Sequence, residues 1–157
     1  MPPQLLVDLD EIDLSQVEVP IEGVRECNPQ RYEMEQISGI IRFDADGRYV
    51  VAYKDVGEDE FWVRGHIPGR PLLPGVLMAE AAAQACTYYY KRCTEDDRFL
   101  GFGGLDNVKF RGTVAPGDRL IIIAKNTELK KRRAVFDTQG VVDGRLVFEG
   151  IVTGMPV

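Results

Sequence analysis

The sequence predicts an α+β domain in which a curved antiparallel β-sheet wraps around one long central helix. Three observations carry this. From Val76 to Tyr90 there is neither proline nor glycine, and the stretch is rich in alanine, which favours helix. That stretch is too apolar for a surface helix, so it has to be enclosed. The segments on either side alternate like antiparallel strands and are cut by turn signals at 44–47, 116–118 and 143–144.

Taken in order, residues 1–27 form an acidic N-terminal extension carrying Asp8, Asp10, Glu11, Asp13, Glu18, Glu22 and Glu26, and 28–157 form the domain. Asp13 or Ser15 could cap a short helix, limited by Pro20. The extension is either a docking arm or a solvated segment lying on the surface. Ile37–Phe43 and Arg48–Lys54 read as two strands around Asp44-Ala45-Asp46-Gly47, a hairpin signal. A polar loop, Val56–Glu60, leads to Phe61-Trp62-Val63. The helix is expected from Pro74 to about Arg92, since proline at a helix start lacks only an N–H that the first turn cannot use. Thr94–Arg98 is a charged turn. Strands are then expected at Phe99–Gly112, Arg119–Leu129, Ala134–Val142 and Arg145–Thr153. Tyr88-Tyr89-Tyr90 reads as core and interface.

Composition narrows the function classes. The 157 residues suit one domain with a real core, and 45% hydrophobic content is that of a globular chain. A formal net charge of -6 argues against nucleic acid and anionic membranes as partners. No uncharged apolar run reaches the ~18 residues needed to cross a bilayer. The three cysteines, Cys27, Cys86 and Cys93, have no ligand-like spacing, and with a single histidine no zinc site is expected. Cys86 and Cys93 are about 10 Å apart in helical rise, too far for a disulfide. The N-terminus has no signal-peptide pattern, so a cytoplasmic protein with reduced cysteines is expected. The only serines are Ser15 and Ser38, and no Gly-x-Ser-x-Gly elbow exists.

The chemistry concentrates between Gly65 and Gln84. His66 is the only histidine, and imidazole titrates near ~6.5, where it can take a proton. The free N–H groups of Gly75 and Val76 at the helix start could hold an oxyanion. Glu80, about 7.5 Å of rise further on, is a carboxylate in an apolar segment, where charge needs a partner or a task. A base, an oxyanion site and an acid suit proton abstraction beside a carbonyl with loss of a hydroxyl one carbon further on. Each residue has a plainer reading. His66 could be a loop histidine bonded to a carbonyl. Glu80, Gln84, Thr87 and Lys91 could form a polar stripe facing water. Gln84 could orient Glu80 or satisfy buried backbone, and Gly75 could serve the turn alone.

These residues also resemble a family. Gly65-His66-Ile67-Pro68-Gly69, Pro71, Pro74-Gly75-Val76, Glu80-Ala81 and Ala83-Gln84 are similar to the motif of the 3-hydroxyacyl-[acyl carrier protein] dehydratases of fatty-acid synthesis (FabZ-like). Pro29-Gln30-Arg31-Tyr32 resembles that family's Pro-His-Arg-Tyr. Leu105–Arg111 and Val114–Asp118 resemble its strand and turn after the helix, so the likeness runs from about Pro29 to Val152. It implies a hotdog fold and dehydration of a 3-hydroxyacyl thioester on acyl carrier protein to the trans-2-enoyl product. It further implies His66 as base and Glu80 as acid, supplied by different subunits of a homodimer, which in the family can assemble as a trimer of dimers. No cofactor is expected, because the phosphopantetheine arm arrives with the substrate. A hotdog binding module without turnover and a hotdog thioesterase are the alternatives.

Lys130-Lys131-Arg132-Arg133 is either a solvated hairpin end or a surface for the acidic carrier protein. Arg64, Arg70, Lys109 and Arg111 are further basic candidates for that surface. Ile67 stands where the family usually has Phe, Val63 replaces an aromatic, and Glu33–Ser38 is more polar than the family's segment. The helix carboxylate is Glu80 rather than Asp, which in the resembling family implies dehydration without isomerisation.

Overall fold

The computed structural model describes residues 3–157. Seven strands form one antiparallel sheet, β1 (Val19–Pro20), β2 (Gly39–Asp44), β3 (Tyr49–Asp55), β4 (Leu100–Phe110), β5 (Arg119–Lys130), β6 (Arg133–Val142) and β7 (Arg145–Pro156). Their order is β1-β2-β3-β5-β6-β7-β4. A short helix, α1 (Ile21–Arg25), follows β1, and the long helix, α2 (Gly75–Cys93), lies against the sheet. This is the hotdog fold, and α2 falls within one residue of the expected span.

The helix is enclosed for the reason its composition suggests. Ala81, Ala82 and Ala85 have no exposed surface and let the strands approach closely, while Tyr88, Tyr89 and Tyr90 are buried. Tyr89 meets Phe136 edge to face at 5.6 Å. The polar tips of the other two are used: Tyr90 donates to Asp96 and Tyr88 accepts from Arg92. The three tyrosines are core residues, and α2 ends where Thr94 takes an extended conformation.

β3 and β5, in the middle of the sheet, are buried on both faces. Along β3, Val50 and Ala52 face the helix, while Val51 and Tyr53 face the other way; along β5, Leu120, Ile122 and Ala124 alternate likewise with Ile121 and Ile123. The outer face is covered by Leu5, Leu6, Val7, Leu9, Ile12 and Leu14 of the N-terminal segment. Gln139 clamps that segment's backbone, accepting from Leu6 N at 2.8 Å and donating to Gln4 O at 3.0 Å. No helix forms at Asp13. Its side chain instead closes a turn by accepting from Ser15 N at 3.0 Å. Asp8 caps a single 3-10 turn, Leu9–Glu11, and α1 starts only after Pro20. Residues 19–25 join the fold directly: Val19 and Pro20 pair with β2, and Val24 is in the main core.

The two edges of the sheet differ. β1 is two residues long, whereas β4 runs for eleven with no strand beyond it. Phe102, Leu105 and Phe110 on that edge are exposed, as are Met155 beside it and Val76, 73% exposed, at the start of α2.

Candidate active site

The loop bearing His66 is built from three anchors. Lys54, only 4% exposed, pairs with Glu60 at 2.7 Å. The same carboxylate accepts from Gly57 N at 2.9 Å and from Trp62 Nε1 at 3.2 Å. Trp62 is thereby fixed in the core, and its carbonyl accepts from Gly65 N and from His66 N at 2.8 Å. Pro68-Gly69 then makes a tight turn. Arg70 N donates to Ile67 O at 2.8 Å, and Gly69 takes φ +79°, a conformation glycine adopts without cost. Beyond the turn, Leu73 is buried and its N–H donates to Val114 O at 2.7 Å.

His66 itself is exposed. Its Nδ1 lies 2.7 Å from Leu72 O. A carbonyl only accepts, so Nδ1 carries a hydrogen, and in the neutral ring the lone pair is on Nε2. The carbonyl contact of the plainer reading exists, and it is the contact that leaves Nε2 available as a base.

Glu80 occupies a different environment. It is half-buried on α2 and lines a cavity of about 40 Å³ with Gln30, Ala83, Cys86, Thr87, the start of β4 and the end of β7. Burial pushes the Cys86 thiol well up, so this cysteine stays a neutral thiol. His66 does not line that cavity.

Gln84 is 2% exposed and uses its whole amide. Its Oε1 accepts from Gln36 N at 2.9 Å, and its Nε2 donates to Met34 O at 2.7 Å and to Glu80 Oε1 at 3.0 Å. Both roles left open by the sequence are therefore filled at once. Thr87 is buried as well, so the stripe from Glu80 to Lys91 does not face water; its centre packs under residues 28–36. Replacing Gln84 by leucine strands the buried Gln36 N–H, which costs about 1–3 kcal/mol. We expect a lowered thermal midpoint. Glu80 also loses its tether, so kcat should fall roughly tenfold or more with KM little changed, measured where the variant is still folded.

Gly75 packs closely against the exposed Phe110 side chain. A Cβ there would come within 2.8 Å of the Phe110 ring, at the end of β4. As the first residues of α2, Gly75 and Val76 present N–H groups that the helix itself cannot pair.

The basic candidates are separated. Arg64, Arg70, Lys109 and Arg111 are exposed near the His66 loop and the Phe110 end of β4, and Arg111 pairs with Glu149 at 2.7 Å. Lys130–Arg133 is the β5–β6 hairpin end, at the other end of the sheet. There Ala134 pairs with Gly154, and Gly154 with Phe102. All four are exposed; Lys130 and Arg133 are both tied to Glu128, and among the described residues Lys131 and Arg132 make no ion pair.

Sequence reasoning named Arg31 only within a resembling motif, with no role, and passed over Asn28. Asn28 is buried and donates to Gln84 O at 2.9 Å. Arg31 donates to Asn28 O at 2.7 Å, Gln30 O at 2.8 Å and Arg25 O at 3.2 Å, gathering residues 25–30 against α2. Among the described residues, no cluster of three or more His, Cys, Asp or Glu could hold a metal ion, and no helix is long and apolar enough to cross a membrane.

Residues 28–151 match the family model of the FabA-like domain. The chain is 34% identical over 136 residues to the 3-hydroxyacyl-[acyl-carrier-protein] dehydratase FabZ of Streptococcus pneumoniae serotype 19F (strain G54), covering 86% of this chain and 96% of the relative. It is 36% identical over 137 residues to the FabZ of Lawsonia intracellularis (strain PHE/MN1-00), covering 85% and 89%. Among solved structures it resembles the dehydratase heterocomplex ApeI:P from Xenorhabdus doucetiae. The TM-score is 0.73 over 85% of this chain and 90% of that one, and at 18% identity this likeness concerns the fold alone. With a family model spanning most of the chain and relatives above 30% identity over nearly their whole length, the chain belongs to the FabA-like domain family, with the FabZ dehydratases.

Proposed function

We propose that the protein dehydrates 3-hydroxyacyl thioesters carried on acyl carrier protein, giving trans-2-enoyl thioesters in fatty-acid or related acyl synthesis. The observation that carries this reading is the pairing of a histidine with a free Nε2 and a helix carboxylate tethered beside a cavity, in a chain of this family. His66 Nε2 takes the C2 proton. The Gly75 and Val76 N–H groups receive the charge that develops on the thioester oxygen. Glu80 protonates the departing hydroxyl at its cavity, and the acyl chain runs on beside α2.

In this proposal each site belongs to two chains. β4 is an open edge suited to pairing with a second copy. Antiparallel pairing across a two-fold axis sets the Phe110 end of one β4 beside the Phe102 end of the other. The Phe110 end adjoins Gly75, and the His66 loop is tied to Val114 just beyond; the Phe102 end lines the Glu80 cavity. The dimer thus brings His66 of one chain toward Glu80 of its partner and covers the exposed apolar side chains of that edge.

The activity is tested with an enoyl thioester on acyl carrier protein, followed by its ultraviolet absorbance. Loss of the enoyl band without free thiol is expected, since hydration is the reverse reaction. Release of free thiol would make the protein a thioesterase, and binding without change would make it a binding module.

A further inference from the structure

Protonating a leaving hydroxyl uses only one side of it. The hydroxyl oxygen accepts the proton of Glu80, but its own hydrogen also needs an acceptor once water is excluded. The protonated oxygen of Glu80 is committed as donor, and the other already accepts a hydrogen bond. Its Oε1 is held by Gln84 Nε2, which leaves Oε2 for the proton.

The wall of the same cavity carries a candidate. Four buried side-chain oxygens have no hydrogen-bond partner among the described residues: those of Asn28, Gln30, Gln36 and Asn126. Of these residues only Gln30 lines the cavity of Glu80. A buried amide oxygen left without a partner is costly, and such a group takes a hydrogen bond from a water or a ligand. Its setting is also rigid. Arg31 holds the carbonyls on either side of Pro29, and Asn28 is bonded to the α2 backbone at Gln84, one turn beyond Glu80. The cavity, about 40 Å³, is of the scale of a hydroxyl or a few waters.

We propose that Gln30 Oε1 accepts the hydrogen of the substrate's 3-hydroxyl, making Gln30 a substrate-binding residue of the site. The inference rests on the dehydratase reading. In the step, the C2–H bond breaks, its proton goes to His66 Nε2, and its electron pair becomes the C2–C3 π bond. The C3–O bond breaks, and its pair stays on oxygen, which takes the proton of Glu80. Water leaves with two hydrogens, one from Glu80 and the original one, which Gln30 has held throughout. In the hydration direction Gln30 and Glu80 together hold the attacking water. Two fixed contacts on one hydroxyl also orient C3, so Gln30 helps select which hydroxyl configuration reacts.

The test separates hydroxyl recognition from general binding. His66→Ala protein, which should bind substrate without consuming it, is titrated calorimetrically with 3-hydroxybutyryl-pantetheine and with butyryl-pantetheine, which lacks the hydroxyl. The same is done after adding Gln30→Met, and after Gln30→Leu as a second replacement without the acceptor. One neutral hydrogen bond predicts an affinity for the hydroxyacyl thioester about 3- to 10-fold lower, with butyryl-pantetheine unchanged within about twofold. The saturated thioester reports whether each variant is folded and its pocket open. Equal loss for both thioesters, or no loss for either, overturns the role of Gln30. Failure of the dehydratase reading would be seen separately, as wild-type protein that does not hydrate an enoyl thioester, and it would take this proposal with it.

Discussion

His66→Ala is expected to lower kcat by roughly a thousandfold, within the 10²–10⁴ range that a positioned base contributes. The expectation follows from how little else His66 does. Its ring is exposed, and its one side-chain hydrogen bond, to Leu72 O, serves to orient the ring. Its backbone N–H and carbonyl hold the loop, to Trp62 and Leu72, and alanine keeps both. The thermal midpoint should therefore stay close to wild type, and KM should change little, because the proposed role of the ring is proton transfer rather than substrate binding. The purified variant is assayed by steady-state kinetics beside a thermal melt. Turnover near wild type would remove the base from the mechanism; a collapsed melt would mean that the ring is structural.

How much of this could be read from the sequence depends on whether the signal is local. The long helix was legible because nineteen residues without an internal breaker state their conformation in place. So was the β2–β3 turn, where Asp44 Oδ1 accepts from Gly47 N at 2.8 Å. The Pro68-Gly69 turn is equally local. The placement of the N-terminal segment was not legible in its own acidic residues. The signal lay elsewhere, in Ile121-Ile122-Ile123 and Val50-Val51-Ala52. A strand with apolar residues on successive positions is covered on both faces, and something has to cover the second. β1 and α1, two and five residues long, fall below any periodicity that a sequence can display.

At the site the division is similar. His66 and Glu80 stand in a motif, but the residues that hold Glu80 do not. Gln84 reaches Gln36 and Met34 across nearly fifty positions, and Asn28 reaches Gln84 across fifty-six. Pairings at such separation come from the fold, and polar residues in an apolar helix look like a solvated stripe until that fold is known. Lys54 makes the same point. It reads as an ordinary strand lysine, yet it is buried against Glu60 and helps to fix the loop that carries the base.

The shared site, with His66 and Glu80 working on one substrate from two chains, is tested by mixing two proteins that each lack one of these groups. His66→Ala and Glu80→Ala are combined under conditions that exchange subunits, and mixed dimers are confirmed by mass spectrometry with one protein isotopically labelled. Each parent is expected to be nearly inactive, with every site lacking either the proposed base or the proposed acid. In a mixed dimer one site lacks both, and the other takes His66 from one chain and Glu80 from its partner. Random exchange makes about half the dimers mixed, each with one of its two sites intact, so about a quarter of wild-type activity should return. If both groups came from the same chain, every site in the mixture would still lack one of them. A confirmed population of mixed dimers with activity no higher than that of the parents would contradict the shared site.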